Sequence, residues 1–262
     1  MQYFEIIVYS FIQGLTEFFP VSSSAHLYFL EYLFKWEIEG LTYALAAHLG
    51  TLIAVLMLEK RNVLKISKEV FSKNVSNNSF ILLGTCVIPV LIVGFFIILF
   101  FQQSYKFGIT AIALTSIIGA ICLDISDKYF LKYKKDKTLS FRDSIYIGLF
   151  QTLSLIPGMS RSGTVITAAR FLGYSRSYST QLALLTSIPI IFFSSCFGLY
   201  KVFLSNQFIN LNFVFIVLIT FICAFISIKF LVRWVKYFSF RIFVIYRIFF
   251  GILLLCLINA NL

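Results

Sequence analysis

The chain is poor in charge, proline and histidine. Of its 262 residues only 13% are charged, four are proline and two are histidine, whereas about a quarter of the residues in a soluble domain are charged. So little charge cannot cover the surface of a soluble protein, and it also excludes a disordered chain. The five cysteines lie in apolar stretches without paired spacing, which excludes a disulfide framework and a cysteine metal cluster.

Apolar residues make up 60% of the chain and include 32 phenylalanines. A helix that spans a bilayer needs about 20 mostly apolar residues. Six stretches reach or approach this length, and we predict that each is a membrane-spanning helix. They are residues 43–58, 79–101, 107–123, 182–204, 213–231 and 242–258.

Two further apolar regions, residues 3–34 and 145–172, are interrupted near their middles. The first interruption holds Pro20 followed by three serines, and the second holds Pro157 with glycines and serines. Proline removes a backbone donor, and serine and glycine favour turns, so each interruption should end a helix. Since each half is too short to cross the bilayer, we predict a re-entrant hairpin in each region.

The distribution of basic residues predicts how the spans are oriented. Most of the 22 basic residues lie in alternate loops, and the positive-inside rule makes those loops cytoplasmic. We therefore read the net charge of +11 as a topology signal and not as a nucleic-acid site. The first hairpin then enters from the outer face and the second from the cytoplasm, with both termini outside.

The predicted fold is an all-α integral membrane protein with an inverted-topology repeat. Each half is a re-entrant broken-helix hairpin followed by three transmembrane helices, as in folds whose sites lie near the bilayer midplane. We predict a single membrane domain over residues 1–262. Its halves are residues 1–123 and 145–262, and a cytoplasmic loop over residues 124–144 joins them.

Charged side chains within apolar segments cost roughly 2.5–3.5 kcal/mol each on insertion scales and indicate a functional site. Glu17 and His26 flank the first break, and Gln13 lies one helical turn from Glu17 on the same face. Arg161 begins a new half-helix at the second break, where N–H groups and the helix dipole favour an anion. A carboxylate, hydroxyls and an imidazole opposite an arginine predict phosphoryl transfer from a lipid.

Both breaks resemble signature motifs of one family. Residues 13–26, QGLTEFFPVSSSAH, resemble the (E/Q)GxTEFxPVSSxGH signature of the BacA-type undecaprenyl-diphosphate phosphatases, and residues 157–163, PGMSRSG, resemble that family's PGxSRSG segment. With the pattern of spans, the resemblance covers nearly the whole chain. It implies hydrolysis of undecaprenyl diphosphate in the bacterial inner membrane, recycling of the peptidoglycan lipid carrier, resistance to bacitracin and a site open to the outer side.

The residues and the resemblance together suggest the roles of individual side chains. The predicted catalytic residues are Glu17, Ser23, His26 and Arg161. Ser23 is expected to attack the terminal phosphorus with His26 as the base, or His26 to activate water directly. Attack by His26 itself and attack by metal-activated water are the alternatives. Glu17 and Gln13 are expected to hold a divalent cation, Mg²⁺ or Ca²⁺. The predicted substrate-binding residues are Gln13, Ser22, Ser24, Gly158, Ser160, Ser162 and Gly163.

The chain departs from the family pattern at two positions. Ala25 replaces a glycine, and Val165 replaces a threonine whose hydroxyl only the neighbouring Thr164 could supply. His48, in the first predicted span, is interpreted as an interhelical polar contact, with contact to substrate as the alternative. Snorkelling toward the cytoplasm is one interpretation of Arg170, which is left out of the predicted site.

A lipid flippase or transporter is the rival function, because inverted repeats with broken helices are also a transporter architecture. Under either function the predicted partners are a polyprenyl diphosphate and membrane lipid, without nucleic acid. A homo-oligomer is left open.

Overall fold

The computed structural model describes residues 2–34, 40–70, 78–101, 108–130, 139–204 and 210–259, and within these ranges the regular structure is helical. The helices are α1 (Gln2–Thr16), α2 (Ser23–Phe34), α3 (Gly40–Leu58), α4 (Lys60–Glu69), α5 (Ser79–Phe101), α6 (Ile109–Tyr129), α7 (Phe141–Gln151), α8 (Arg161–Phe171), α9 (Arg176–Leu204), α10 (Leu211–Tyr237) and α11 (Arg241–Asn259). A 3₁₀ turn, Thr152–Leu155, continues α7.

Four helices of the described ranges, α5, α6, α9 and α10, are long and apolar enough to cross a membrane. Helix α3 qualifies as a fifth when it is taken together with α4, from which it is bent by 79°. The predicted span 242–258 also forms a helix, α11, although α11 is not among these candidates. These apolar helices indicate a multi-pass membrane protein.

Helix α4 occupies a stretch that the sequence analysis treated as a cytoplasmic loop. The structure places Lys60, Arg61, Lys65 and Lys68 on this ten-residue amphipathic helix. A basic amphipathic helix turned sharply from a spanning helix has the geometry of one that lies along a membrane surface. The basic residues of this stretch therefore belong to an ordered element.

Both predicted helix breaks are confirmed. We call them the first tip, residues 17–22, between α1 and α2, and the second tip, residues 156–160, before α8. The last residue of each tip has a positive φ, +70° at Ser22 and +65° at Ser160. Such a value is unusual for a residue with a Cβ, and in each tip it occurs at the residue just before a helix begins.

Packing between the two halves of the chain brings the tips together. Helix α1 packs against α10 and α7 packs against α5, while α6 contacts both α8 and α11. The largest core cluster joins Val21 of the first tip to Val165 of α8 and Phe240 before α11. Phe19 packs its ring against Phe243 with a centroid distance of 5.3 Å. The first tip is thus embedded in the second half of the chain.

Candidate active site

An ion pair joins Glu17 of the first tip to Arg161, the residue that follows the second tip. Arg161 Nη2 donates to Glu17 Oε1 at 2.7 Å between residues 144 positions apart, and the two side chains are only 14% and 7% exposed. Arg161 Nη1 also donates to the carbonyl oxygen of Ser187 at 3.2 Å. The predicted proximity of the carboxylate and the guanidinium is therefore found in the structure.

The second oxygen of the Glu17 carboxylate accepts two hydrogen bonds. Gln13 Nε2 donates to Glu17 Oε2 at 2.7 Å, and Ser23 Oγ donates to the same oxygen at 2.8 Å. Glu17 therefore faces Ser23 through one oxygen and Arg161 through the other. This places a carboxylate where it can take the proton of the Ser23 hydroxyl.

The donors around Glu17 also bear on the predicted cation. Gln13 Oε1 is buried and has no hydrogen-bond partner among the described residues. With the Glu17 carboxylate it offers the oxygen ligands that Mg²⁺ and Ca²⁺ prefer. The described residues contain no group of three or more histidine, cysteine, aspartate or glutamate side chains that could hold a metal ion. The donor set therefore fits a cation that takes its other ligands from phosphate and water.

The serine that ends each tip and the serine two residues later are arranged alike at both places. The hydroxyl oxygens of Ser22 and Ser24 are 3.2 Å apart, and so are those of Ser160 and Ser162. Ser160 Oγ also accepts the backbone N–H of Gly163 at 3.2 Å and caps α8. Helix α8 is therefore the half-helix expected from the sequence. The N–H groups of its first turn lie beside Arg161.

Gly158 allows the second tip to approach α6 closely. Its φ is +97°, and a Cβ at this position would lie 2.5 Å from the carbonyl oxygen of Ile112 and would also meet Thr115 Oγ1. Thr115 Oγ1 donates to the carbonyl oxygen of Pro157 at 2.6 Å. Close packing against α6 thus explains the glycine, and its predicted contact with substrate stays a prediction.

A cavity of about 210 Å³ lies between the tips. The predicted site residues that line it are Glu17, Ser22, Ser23, Ser24, Ser160 and Arg161. The predicted site residues that do not line it are Gln13, His26, Gly158, Ser162 and Gly163. His48 of α3, which was interpreted as an interhelical contact, is at the cavity wall.

His26 lies behind the cavity wall and is almost fully buried. Its Nδ1 is 2.7 Å from the carbonyl oxygen of Ser22, and its Nε2 is 2.6 Å from the hydroxyl of Tyr246. The ring stacks on Phe250 at a centroid distance of 4.3 Å. Both nitrogens are therefore engaged, and the partner of the Ser23 hydroxyl in this arrangement is Glu17.

Arg247 of α11 is a residue of the site region that the sequence analysis did not single out. Its side chain is 1% exposed and donates to the carbonyl oxygens of Pro20 at 3.3 Å, Gly158 at 2.9 Å and Met159 at 3.2 Å. Gly119 of α6 leaves room for it, since a Cβ there would collide with the guanidinium. Arg247 thus ties both tips together. A lone arginine in an apolar span is the sequence signal that could have identified it.

Thr164 and Val165, where the chain departs from the family's threonine, do not line the cavity. Thr164 Oγ1 donates to the carbonyl oxygen of Arg161 at 2.8 Å, so this hydroxyl is engaged by the backbone. Val165 is fully buried in the largest core cluster.

The interpretation that Arg170 snorkels toward the cytoplasm is wrong. Its side chain is 4% exposed, and Arg170 Nε donates to Asp127 Oδ1 at 3.1 Å. Asp127 of α6 supplies a partner inside the protein, so the charge need not reach the headgroups.

Comparison with known proteins covers nearly the whole chain. The family model described as bacitracin resistance protein BacA matches residues 6–253, a range that contains both tips. The chain belongs to the BacA family. A protein named undecaprenyl-diphosphatase from Desulforudis audaxviator is 37% identical over 255 residues and covers 96% of each chain. Proteins of the same name from Pelagibacter ubique and Thermomicrobium roseum are 35% and 34% identical and cover 97% and 99% of each chain.

Proposed function

We propose that this protein hydrolyses undecaprenyl diphosphate to undecaprenyl phosphate and inorganic phosphate, which recycles the lipid carrier of peptidoglycan synthesis and confers resistance to bacitracin. The observation that carries the proposal is the buried Glu17–Arg161 pair beside the hydroxyl of Ser23, at the meeting point of two helix breaks. Membership of the BacA family supports it. The three relatives above are all named for this activity, which does not favour the flippase or transporter alternative.

In the proposed reaction the diphosphate binds Arg161 and the N-terminus of α8. Ser23 Oγ attacks the terminal phosphorus while Glu17 takes the hydroxyl proton. The bond from that phosphorus to the bridging oxygen breaks, and undecaprenyl phosphate leaves. Water then hydrolyses the phosphoserine and releases inorganic phosphate. The hydrogen bond from Ser23 Oγ to Glu17 Oε2 supports this assignment of the base.

Two other nucleophiles give different intermediates. His26 would first have to leave its partners at Ser22 and Tyr246, after which it could attack phosphorus or activate water. Rapid acid quenching during turnover should trap phosphate on Ser23, and a parallel quench in alkaline denaturant preserves phosphohistidine, which acid would hydrolyse. Phosphate on His26, or no phosphoenzyme at all, would select one of the alternatives.

The chain's own oxygens would also hold a cation. Glu17 and Gln13 would bind Mg²⁺ or Ca²⁺ beside the diphosphate, where the ion would neutralise the charge of the phosphate oxygens. The unpartnered Gln13 Oε1 supports this placement.

We further propose the inverted arrangement predicted from the charge of the loops. The first tip would enter from the outer face of the bacterial inner membrane and the second from the cytoplasm, in one membrane domain with both termini outside. The cavity would open to the outer side and take a polyprenyl diphosphate from the surrounding lipid. The reciprocal packing of α1 on α10 and α7 on α5, and the serine of positive φ that ends each tip, support this arrangement.

A phosphate-release assay tests the proposed activity. Purified protein in detergent, given undecaprenyl diphosphate and Mg²⁺, should release phosphate, and Glu17→Ala or Arg161→Ala should each lower the rate about 10²–10³-fold. Arg233→Ala removes an exposed cation far along α10 and serves as the charge-matched control. If the wild-type protein binds the lipid but releases no phosphate, the transporter alternative gains and the phosphatase proposal fails.

A further inference from the structure

The chain has only two histidines, and their surroundings differ. Both ring nitrogens of His26 have hydrogen-bond partners, and the ring does not line the cavity between the tips. His48 lines that cavity with Glu17, Arg161 and the serines of both tips.

One ring nitrogen of His48 lacks the partner that a structural histidine would have. Its Nδ1 is fully enclosed and has no hydrogen-bond partner among the described residues. A buried polar atom without a partner is uncommon and costs free energy, which argues against a purely structural role for the ring. An interhelical polar contact, the interpretation that the sequence alone favoured, would have supplied a partner. Apart from the backbone bonds within α3, the hydrogen bond described at this residue is also to its backbone, whose carbonyl accepts from Thr51 Oγ1.

The enclosed nitrogen indicates which tautomer the ring adopts. A neutral imidazole carries one N–H donor and one acceptor nitrogen. An orphaned N–H is rarer than an orphaned acceptor, so we assign Nδ1 as the unprotonated nitrogen. The proton is then on Nε2, which gives this cavity-lining residue a ring donor.

We infer that His48 contacts the substrate directly and donates a hydrogen bond from Nε2 to a phosphate oxygen of the diphosphate. The inference rests on the proposed function, since it assigns a ligand group in the same cavity. The cavity then presents donors from three elements: Arg161 from α8, the serine hydroxyls from the tips and His48 from α3. No proton transfer is assigned to His48.

Nitrogen NMR tests the contact without relying on turnover. Protein labelled with ¹⁵N-histidine gives side-chain signals from two residues only, and His26→Gln assigns them. The free protein should show His48 as the Nε2–H tautomer. Addition of pyrophosphate with Mg²⁺ should shift the His48 Nε2 signal and leave that of His26 nearly in place. Movement of the His26 signal alone would overturn the inference.

Kinetics with undecaprenyl diphosphate gives the second test. His48→Phe keeps a ring and removes the donor, and we expect kcat/KM to fall about 10- to 100-fold, as for a lost hydrogen bond to a charged group. His48→Gln keeps an N–H donor and should recover activity to within about threefold of wild type. His48→Leu replaces the phenylalanine variant if that variant does not fold. Unchanged melting temperatures for the variants would show that the loss is not one of stability.

The outcomes separate this inference from the proposed function. If wild type hydrolyses the lipid but the His48 signal is unmoved and His48→Phe is fully active, only the inference fails. If wild type is inactive but pyrophosphate shifts the His48 signal, the phosphatase proposal fails and the phosphate contact stands. If neither hydrolysis nor a shift is seen, both fail.

Discussion

The two tips share one backbone feature and differ in their charges. Each ends in a serine of positive φ, +70° at Ser22 and +65° at Ser160, whose hydroxyl lies 3.2 Å from that of the serine two residues later. The second tip has a further positive φ at Gly158. The first tip carries a carboxylate, whereas the second is uncharged and leads into a helix that begins with Arg161. Neither half of the chain contains the cavity's charge pair by itself.

Removal of Arg247 should have the largest effect on stability, because this side chain binds the backbone of both tips. Arg247→Met would leave the buried carbonyl oxygens of Pro20, Gly158 and Met159 without this donor. We expect a loss of about 3 kcal/mol, which for a chain of this size lowers the apparent melting temperature in detergent by about 6–12 °C.

Arg247→Lys is the matched control for charge. It keeps the cation but loses the planar fork that reaches both tips, so it should restore only part of the stability. A methionine variant as stable as wild type would show that the tips hold together without this link.

Gly158→Ala should disturb the second tip alone. The positive φ costs a residue with a Cβ about 1–2 kcal/mol, and the added methyl group would press on the carbonyl oxygen of Ile112. We expect a loss of about 2 kcal/mol, measured as a lower melting temperature. Gly84→Ala on α5 is the matched control, because a Cβ there meets nothing within 4 Å. Equal melting temperatures for the two variants would contradict the close approach to α6.

The smallest expected effect distinguishes the two serines of positive φ. Ser160 Oγ accepts the N–H of Gly163 and caps α8, whereas the Ser22 hydroxyl is described only in contact with that of Ser24. Ser160→Ala should therefore lower the free energy of unfolding by about 1 kcal/mol more than Ser22→Ala does. Thermal unfolding of both variants in the same detergent measures the difference. An equal or larger loss for Ser22→Ala would mean that the capping bond contributes little.

The sequence was sufficient for the features that local chemistry or charge decides. Pro20 and Pro157 are each accompanied by serines or glycine that favour a turn, and this combination located both tips. Proline alone would not have done so, because Pro89 lies inside α5 and Pro189 inside α9. Glu17 and Arg161 are charges in apolar surroundings, and each needs a partner there. The sequence therefore predicted that these two charges lie close together. The stretch that begins at Lys60 was interpreted from its charge alone, as a loop. Its helix was not predicted, because the spacing of its apolar residues was not considered.

The sequence could not assign partners that depend on the packing of distant helices. Ser23 is six residues from Glu17 and three from His26, and the turn between them decides which one its hydroxyl meets. Arg247 lies among apolar residues, and nothing nearby in sequence indicates the three carbonyl oxygens that it finds. The orphaned Nδ1 of His48 is likewise visible only once α3 is packed.

The pairing of Arg161 with Glu17 has a consequence for ligand entry. The guanidinium holds an anionic group of the protein's own at 2.7 Å. A phosphate that binds Arg161 must therefore compete with the Glu17 carboxylate for the same donor. A ligand with too little negative charge would not displace this carboxylate, because a lone charge in a poorly solvated space is costly.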